Sequence, residues 1–381
     1  MGLKTSQIVK ILQLKGLGKK TAIKICDRAQ DEVLDSDSEL KEFVLGCIAN
    51  KWVKRLPIFS QNEFAEAFQK GEDICKKSEQ SGVRILSIYD NDFPYQLRNI
   101  PDNPILLSFR GDYKRLNNLT GIAIIGTREP TPEGINSGEY FGEMLGKEGF
   151  NIVSGLAIGC DSAAHRGCLK GRGFTTAILA HGLHTVYPKE NKELAEDIVA
   201  SGGVLLSEYF FGVGALANYF VERDRLQAGL SNATIVIQSG IKGGTMHAVN
   251  ATIKANKILA AVKYKPDINS DKVKGNEMLI NQKKAYSLMS SNLEEFVRLL
   301  KNTTIQKTQT ANIQGETISI QNKEEEKQRL SKMHSEEESE KRIEQPEVNE
   351  PEQSSNKKWG SRKKSKKKGK KDDSSQTKLQ L

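Results

Sequence analysis

No apolar run anywhere in the 381-residue chain reaches the 18 or so residues that a membrane-spanning helix needs. The first twenty residues are interrupted by lysines and lack the apolar stretch of a secretory leader. These two absences set the expectation of a cytoplasmic protein with no membrane association. Cysteine is sparse and unpatterned: Cys26, Cys47, Cys75, Cys160 and Cys168 are odd in number, contain no CxxC pair and have no histidine at zinc-ligand spacing. A disulfide framework and a zinc site are therefore not expected, and reduced thiols are. Aromatics make up 6% of the chain and hydrophobic residues 37%, enough for one real core but little for a fully packed protein of this length.

Charge is also scarce where a polyanion binder would want it. The net charge is +9, but the stretch from Lys301 to Leu381 holds 19 basic and 14 acidic residues, hence +5, leaving only +4 for residues 1–300. A body so near neutrality cannot hold a polyanion by bulk field, so any such site must come from locally clustered Arg and Lys.

Residues 1–62 read as short helices around Gly16-Leu17-Gly18, and 63–118 as a helix, a strand and a proline-containing connector through Pro94, Pro101 and Pro104. From 119 to 298 near-continuous apolar strands alternate with helices: GIAIIG, NIVSG, TTAILAHG, GVLLSEY, ATIVIQSG and ILAAVKY, most followed by a glycine-containing turn. This pattern predicts a Rossmann-like α/β core, a doubly wound and mostly parallel sheet. Ligands of such sheets sit beyond the carboxyl ends of the strands. Residues 299–381, with an acidic block from Glu324 to Glu352 and a basic run from Lys357 to Lys371, read as a disordered charged tail.

Two of the expected turns suit an anion. Gly126-Thr127-Arg128 follows the first core strand and opens a helix, so amide groups, a helix N-terminus and a guanidinium converge there. Lys242-Gly243-Gly244-Thr245 repeats the logic after ATIVIQSG, at what reads as the other end of the sheet. Either turn alone reads equally well as a packing turn, and neither is a dinucleotide fingerprint. Phe220, Arg223 and Arg225 at the start of a helix read either as a phosphate clamp with a stacking ring or as an internal ion-pair network around Asp224. Lys189 and Lys192 add charge on the loop after TTAILAHG. Asp161 and His165 stand four apart, which favours a structural hydrogen bond over catalysis, since no nucleophile accompanies them. No catalytic set and no cofactor motif is found.

The segments IIGTREPTPEG, VSGLAIGCDSAAHRGCL, YPKENKEL, GVLLSEY, FVERDRLQAGLS and IKGGTMHAVNAT, preceded by DNDFPYQLRNIPDNPILLSFRGD, resemble in content and order the bacterial DNA-processing protein A (DprA/Smf) family. The resemblance covers about Val83 to Ser290. It implies a Rossmann-like domain that binds single-stranded DNA in a basic pocket, forms a homodimer, and loads RecA onto incoming DNA in natural transformation. By motif, Arg128 is the pocket arginine, Lys192 and Lys242 are phosphate contacts, and Phe220, Arg223 and Arg225 line the pocket. The chain departs from the family's usual residues at Ile158 (Arg), Asp224 (Asn), Gln238 (Glu) and Gly243-Gly244-Thr245 (Ser-Gly-Ser). Where many members carry a small winged-helix domain, the pattern here predicts the charged tail instead. LQLKGLGKKTAIKI resembles a helix-hairpin-helix, in which Gly16, Gly18, Lys19 and Lys20 could meet a phosphate. The alternative is a nucleotide-binding or nucleotide-hydrolysing protein like the phosphoribohydrolases, but Gly243 to Ala255 lacks the carboxylate that group carries after its glycine turn.

Overall fold

A computed structural model of the chain describes residues 2–53, 59–266, 268 and 270–303. The charged tail beyond them, and the disorder expected of it, lie outside the described residues.

Three short helices come first: α1 (Thr5–Ile11), α2 (Lys19–Arg28) and α3 (Asp37–Ala49). The longer α4 (Gln61–Gln80) follows, started by Ser60 and Glu63, which satisfy each other's backbone N–H groups in a capping box. Ile8, Ile11, Ile25, Leu40, Val44, Phe64 and Phe68 are buried together, and the cluster runs on into Ile85, Ile105 and Leu106. The helical unit thus seats its apolar faces on one edge of the sheet.

That sheet has nine strands: β1 (Arg84–Ser87), β2 (Leu106–Gly111), β3 (Gly121–Ile125), β4 (Asn151–Ser154), β5 (Thr175–Leu179), β6 (Val204–Ser207), β7 (Ala233–Val236), β8 (Ile258–Val262) and β9 (Tyr286–Leu288). Their spatial order is β1-β2-β6-β5-β4-β3-β7-β8-β9. From β6 to β9 all pairs are parallel, and β2 and β1 extend the edge antiparallel. The fold is the Rossmann-like, mostly parallel α/β class read from the strand pattern. The proline-containing passage differs from its reading as a connector alone, because it ends in β2, whose LLSFRG pairs with β6. Three flanking prolines had masked a strand with few alternating polar positions.

Helices α6 (Pro132–Lys147), α7 (Cys160–Lys170), α8 (Lys192–Ala200), α9 (Ala217–Leu230), α10 (Thr245–Lys254), α11 (Lys274–Asn281) and a last helix over 293–303 cover the two faces; the one-turn α5 (Tyr95–Arg98) packs under α9. Strands β3 to β7 are almost wholly buried, which is why they read as unbroken apolar runs. Winding proceeds from β3 through β4, β5 and β6 in one direction, then jumps back to β7 on the other side of β3. The crevice beyond the carboxyl ends of β3 and β7 is thus the topological switch point, where an open α/β sheet takes its ligand.

Candidate nucleic-acid interface

The two glycine turns do not stand at opposite ends of the sheet as the sequence reading had them. They follow adjacent strands, since β3 and β7 are paired over Ile122–Ile125 and Ala233–Val236. Between them opens a pocket of about 720 Å3, lined from β3 by Gly126, Thr127 and Arg128, from β7 by Lys242, Gly243, Gly244 and Thr245, and from α9 by Phe220, Arg223, Asp224 and Gln227. The volume lies in the range of a small-ligand site.

Several bonds hold the two turns in register. Thr127 N–H donates to Gln238 O at 2.8 Å, and Thr127 O accepts from Cys160 N–H at the start of α7. The Gln238 amide reaches across: its Oε1 accepts from Thr131 N at 2.9 Å and its Nε2 donates to Thr131 Oγ1 at 2.8 Å. Thr131 in turn caps α6. A neutral amide can both donate and accept here, which a carboxylate cannot. Asn276, buried, donates to the carbonyls of Val236, Ile237 and Val262 and accepts from Ser239 N–H, so it ties off the ends of β7 and β8 beneath the second turn. Sequence reasoning missed Asn276, since nothing short of the fold brings 276 near 239.

The glycines differ in role. A Cβ on Gly126 would stand 2.5 Å from Cys160 Sγ, so this residue is glycine in order to pack α7 against the turn. Gly243 has φ +143° and Gly244 is unobstructed, with nothing within 4 Å of a Cβ at either position. Here the bare backbone of Gly243 and Gly244 faces the pocket, while the Met246 and His247 N–H groups in the first turn of α10 donate to the carbonyls of Gly243 and Gly244.

At the rim, Arg128 lays its guanidinium over the Phe220 ring, 5.2 Å from the centroid, and Tyr187 approaches the same ring at 5.7 Å. Among the described residues neither Arg128 nor Lys242 has a carboxylate partner, and both are exposed. Phe220 to Arg225 do not open a helix, since α9 begins at Ala217. In its interior, successive side chains separate onto different faces. Arg223 points inward and is 6% exposed, donating to Gly155 O at 2.9 Å, Ile178 O at 2.7 Å and the Asp224 carboxylate at 3.2 Å. Arg225 points away from the pocket and bonds Asp102 and Glu208, which also hold Lys19. The ion-pair reading fits both arginines better than the phosphate clamp does. Lys189 and Lys192 are exposed and outside the pocket lining, on the segment after Tyr187. Gly16 and Lys20 are exposed beside Lys19 on the N-terminal hairpin, which is likewise not part of the pocket.

Two carboxylates sit at the floor. Asp161 Oδ2 accepts from Gly155 N–H, and burial pushes its pKa up while Arg223 opposes the shift. Asp224 is raised to about 6, first by burial and then by Asp161, with Arg223 and His247 pulling it down. Asp161 and His165 do not bond each other: His165 Nδ1 pairs with Thr175 Oγ1 at 2.7 Å, and burial lowers its pKa to about 3, so it stays neutral. The i, i+4 spacing was met, but Asp161 turns to its own N-terminal turn instead.

A doubly wound sheet with exposed cations, an open glycine turn and an aromatic wall around the pocket at its switch point makes this a Rossmann-like protein with a candidate anion site. Its family follows from comparison. The chain matches the model of the DNA recombination-mediator protein A family over residues 84–301, and it belongs to that family, which also carries the names DprA and Smf. The Smf protein of Synechocystis is 31% identical over 262 residues, 67% of this chain and 64% of that protein, so just under two thirds of that relative's length is matched. The X-ray structure of DNA processing protein A from Streptococcus pneumoniae superposes with a TM-score of 0.62 at 29% identity, covering 76% of this chain and 96% of that one. DNA processing protein A from Helicobacter pylori, whose structure describes a single-stranded DNA binding mode, gives 0.52 at 28% identity over 58% of this chain and 96% of that one. Among the described residues, no helix is long and apolar enough to cross a membrane.

Proposed function

We propose that the chain binds single-stranded DNA at the β3/β7 crevice and acts as a recombination mediator, protecting the strand and handing it to a RecA-type recombinase during natural transformation. The observation that carries this reading is the pairing, at one crevice, of cations without internal partners with an exposed glycine turn that opens α10. A single strand offers phosphates to Arg128 and Lys242 and, its bases being unpaired, base faces to Phe220. The strand would leave past Tyr187 toward Lys189 and Lys192. Homodimer formation and the transfer to a recombinase rest on the family alone.

Salt-titrated binding of a fluorescent dT oligonucleotide tests the reading, with a mononucleotide titrated calorimetrically beside it. Binding of the oligonucleotide with an affinity that falls steeply with salt is expected. Binding of the mononucleotide alone would sink it in favour of the nucleotide-binding alternative. That alternative has gained one feature, because the carboxylate missing after the glycine turn is supplied to the pocket by Asp224 from α9. Release of free base from a ribonucleoside monophosphate is its direct test.

A further inference from the structure

The crevice carries cations at its rim and charge of the other sign at its floor. Asp224 lies one turn beyond Phe220 on the face of α9 that lines the crevice, with Gln227 past it. Asp161 reaches the same floor from α7. One buried cation, Arg223, serves both acids. Its Nε donates to Asp224 at 3.2 Å, while its Nη1 is taken up by the carbonyls of Gly155 and Ile178. The side chains of Arg223 and Asp224 are 7% and 13% exposed, so water does little to spread their charge. With Asp161 and Asp224 both ionised, two negative charges stand against the single positive charge of Arg223. Burial first, and then the charge of Asp161, lift the Asp224 carboxyl to about 6 against the pull of Arg223 and of His247, which faces it from α10 and is exposed. An anion entering the crevice adds one more negative charge to this set and lifts Asp224 again.

We infer that the crevice takes up its anion together with a proton: a phosphate held by Arg128 and Lys242 is matched by protonation of Asp224, so the grip on single-stranded DNA is regulated by pH and tightens in mild acid. The inference rests on the single-strand reading of the crevice and adds a regulation that the rim cannot supply, since a guanidinium and an ammonium ordinarily keep their charge across this range. The sign follows from linkage. The strand-bound state holds more protons than the free state, so affinity rises as pH falls and levels off below about pH 5, where Asp224 is protonated in both. His247, gaining a proton, would act with the same sign from the other side of the crevice, so the test must separate the two residues.

The test is the affinity of the full chain for a dT oligonucleotide at fixed ionic strength from about pH 8 to about pH 5, with calorimetry near neutrality in two buffers of different ionisation enthalpy. Thymine and the phosphodiester do not titrate there, so the strand adds no slope of its own. Roughly tenfold tighter binding at the acid end is expected, with net uptake of protons on binding. Asp224→Asn should flatten most of the slope and bind at the alkaline end about as tightly as the parent does at the acid end, whereas His247→Gln should keep the slope. A parent affinity independent of pH, a release of protons, or a slope that survives Asp224→Asn or disappears with His247→Gln overturns the inference while leaving single-strand binding standing. Should Asp224→Asn fail to fold, proton uptake by the His247→Gln chain decides the matter: uptake supports the inference and its absence overturns it. If no strand binds at any pH, the single-strand reading falls, and sulfate, which also keeps its charge across the range, becomes the probe. Sulfate binding that tightens toward acid supports the coupling to Asp224, and binding that ignores pH, or none, overturns it.

Discussion

Two clusters of basic residues, drawn from the same lightly charged chain, have opposite fates. At the junction of the helical unit with the core, Lys19 and Arg225 are bonded to Asp102 and Glu208, with Lys19 to Asp102 at 2.7 Å and Arg225 to Glu208 at 2.5 Å. At the switch point, Arg128 and Lys242 have no carboxylate partner among the described residues, and the ring of Phe220 is the contact that orients Arg128. The first cluster is consumed in holding two parts of the molecule together. The second keeps its field for something from outside. Counting basic residues cannot tell these apart, because what separates them is whether an acid lies within reach in three dimensions.

The sharpest way to break this comparison is at Arg223, which lines the pocket yet belongs with the consumed charges. Arg223→Ala leaves the carbonyls of Gly155 and Ile178 and the buried Asp224 without their donor. A loss of about 3–5 kcal/mol of stability is expected, read by chemical denaturation. A variant as stable as the parent would mean that Arg223 is a free cation after all. Next in size is Asp224→Asn. The folded pKa of about 6 lies above the ordinary 3.8, so the folded state binds the extra proton, and stability contributed by this group falls as pH rises from 4 through 6. The amide removes that loss, so at pH 7.5 the variant should be more stable, by up to about 3 kcal/mol. His165 and His181 act with the opposite sign, since burial holds their folded pKa low and stability falls as pH drops below 6.5. The informative quantity is thus the difference between parent and variant, which should shrink toward zero by pH 4. A difference that does not change with pH would show that Asp224 titrates normally.

The doubly wound core was legible because buried parallel strands leave unbroken apolar runs such as GIAII and VLLS, each closed by a glycine or polar turn. That Gly126, Arg128, Lys242 and Gly243 line a pocket was legible for the same reason, since the turn after such a strand opens on the carboxyl edge of the sheet. The adjacency of the two turns was not, because strand order is a long-range property that no local pattern carries. Nor was the division between Arg223 and Arg225. It depends on α9 starting at Ala217, eight residues before Arg225, and Leu216-Ala217-Asn218 lacks the capping signal that would have marked the start. With that boundary misplaced, the face shared by Phe220, Asp224 and Gln227 could not be seen, and Gln227 passed unnoticed inside LQAGLS.

Arg128→Ala measures the free cluster directly. A charge-assisted phosphate contact without an internal competitor is worth about 2 kcal/mol, so affinity for a dT oligonucleotide should fall roughly thirtyfold. The melting temperature should move by a few degrees at most, because among the described residues the exposed guanidinium makes no ion pair and its contact with the Phe220 ring is worth about 0.5–1 kcal/mol.

Arg225→Met and Lys19→Met should do the reverse, on a smaller scale. Both side chains are partly exposed, at 19% and 24%, so water and salt screen their pairs with Asp102 and Glu208. Such pairs are worth up to about 1 kcal/mol each, and methionine keeps most of the apolar stem that packs at the junction. A drop of a few degrees in melting temperature, fading as salt is raised, is expected for either variant, with single-strand affinity equal to the parent's at the same ionic strength. The loss in the double variant should exceed the sum of the two single losses, since each cation partly covers for the other on the same two acids. Weakened DNA binding by Arg225→Met, at full stability, would move Arg225 from the consumed cluster to the free one and extend the nucleic-acid surface across the junction to the N-terminal hairpin.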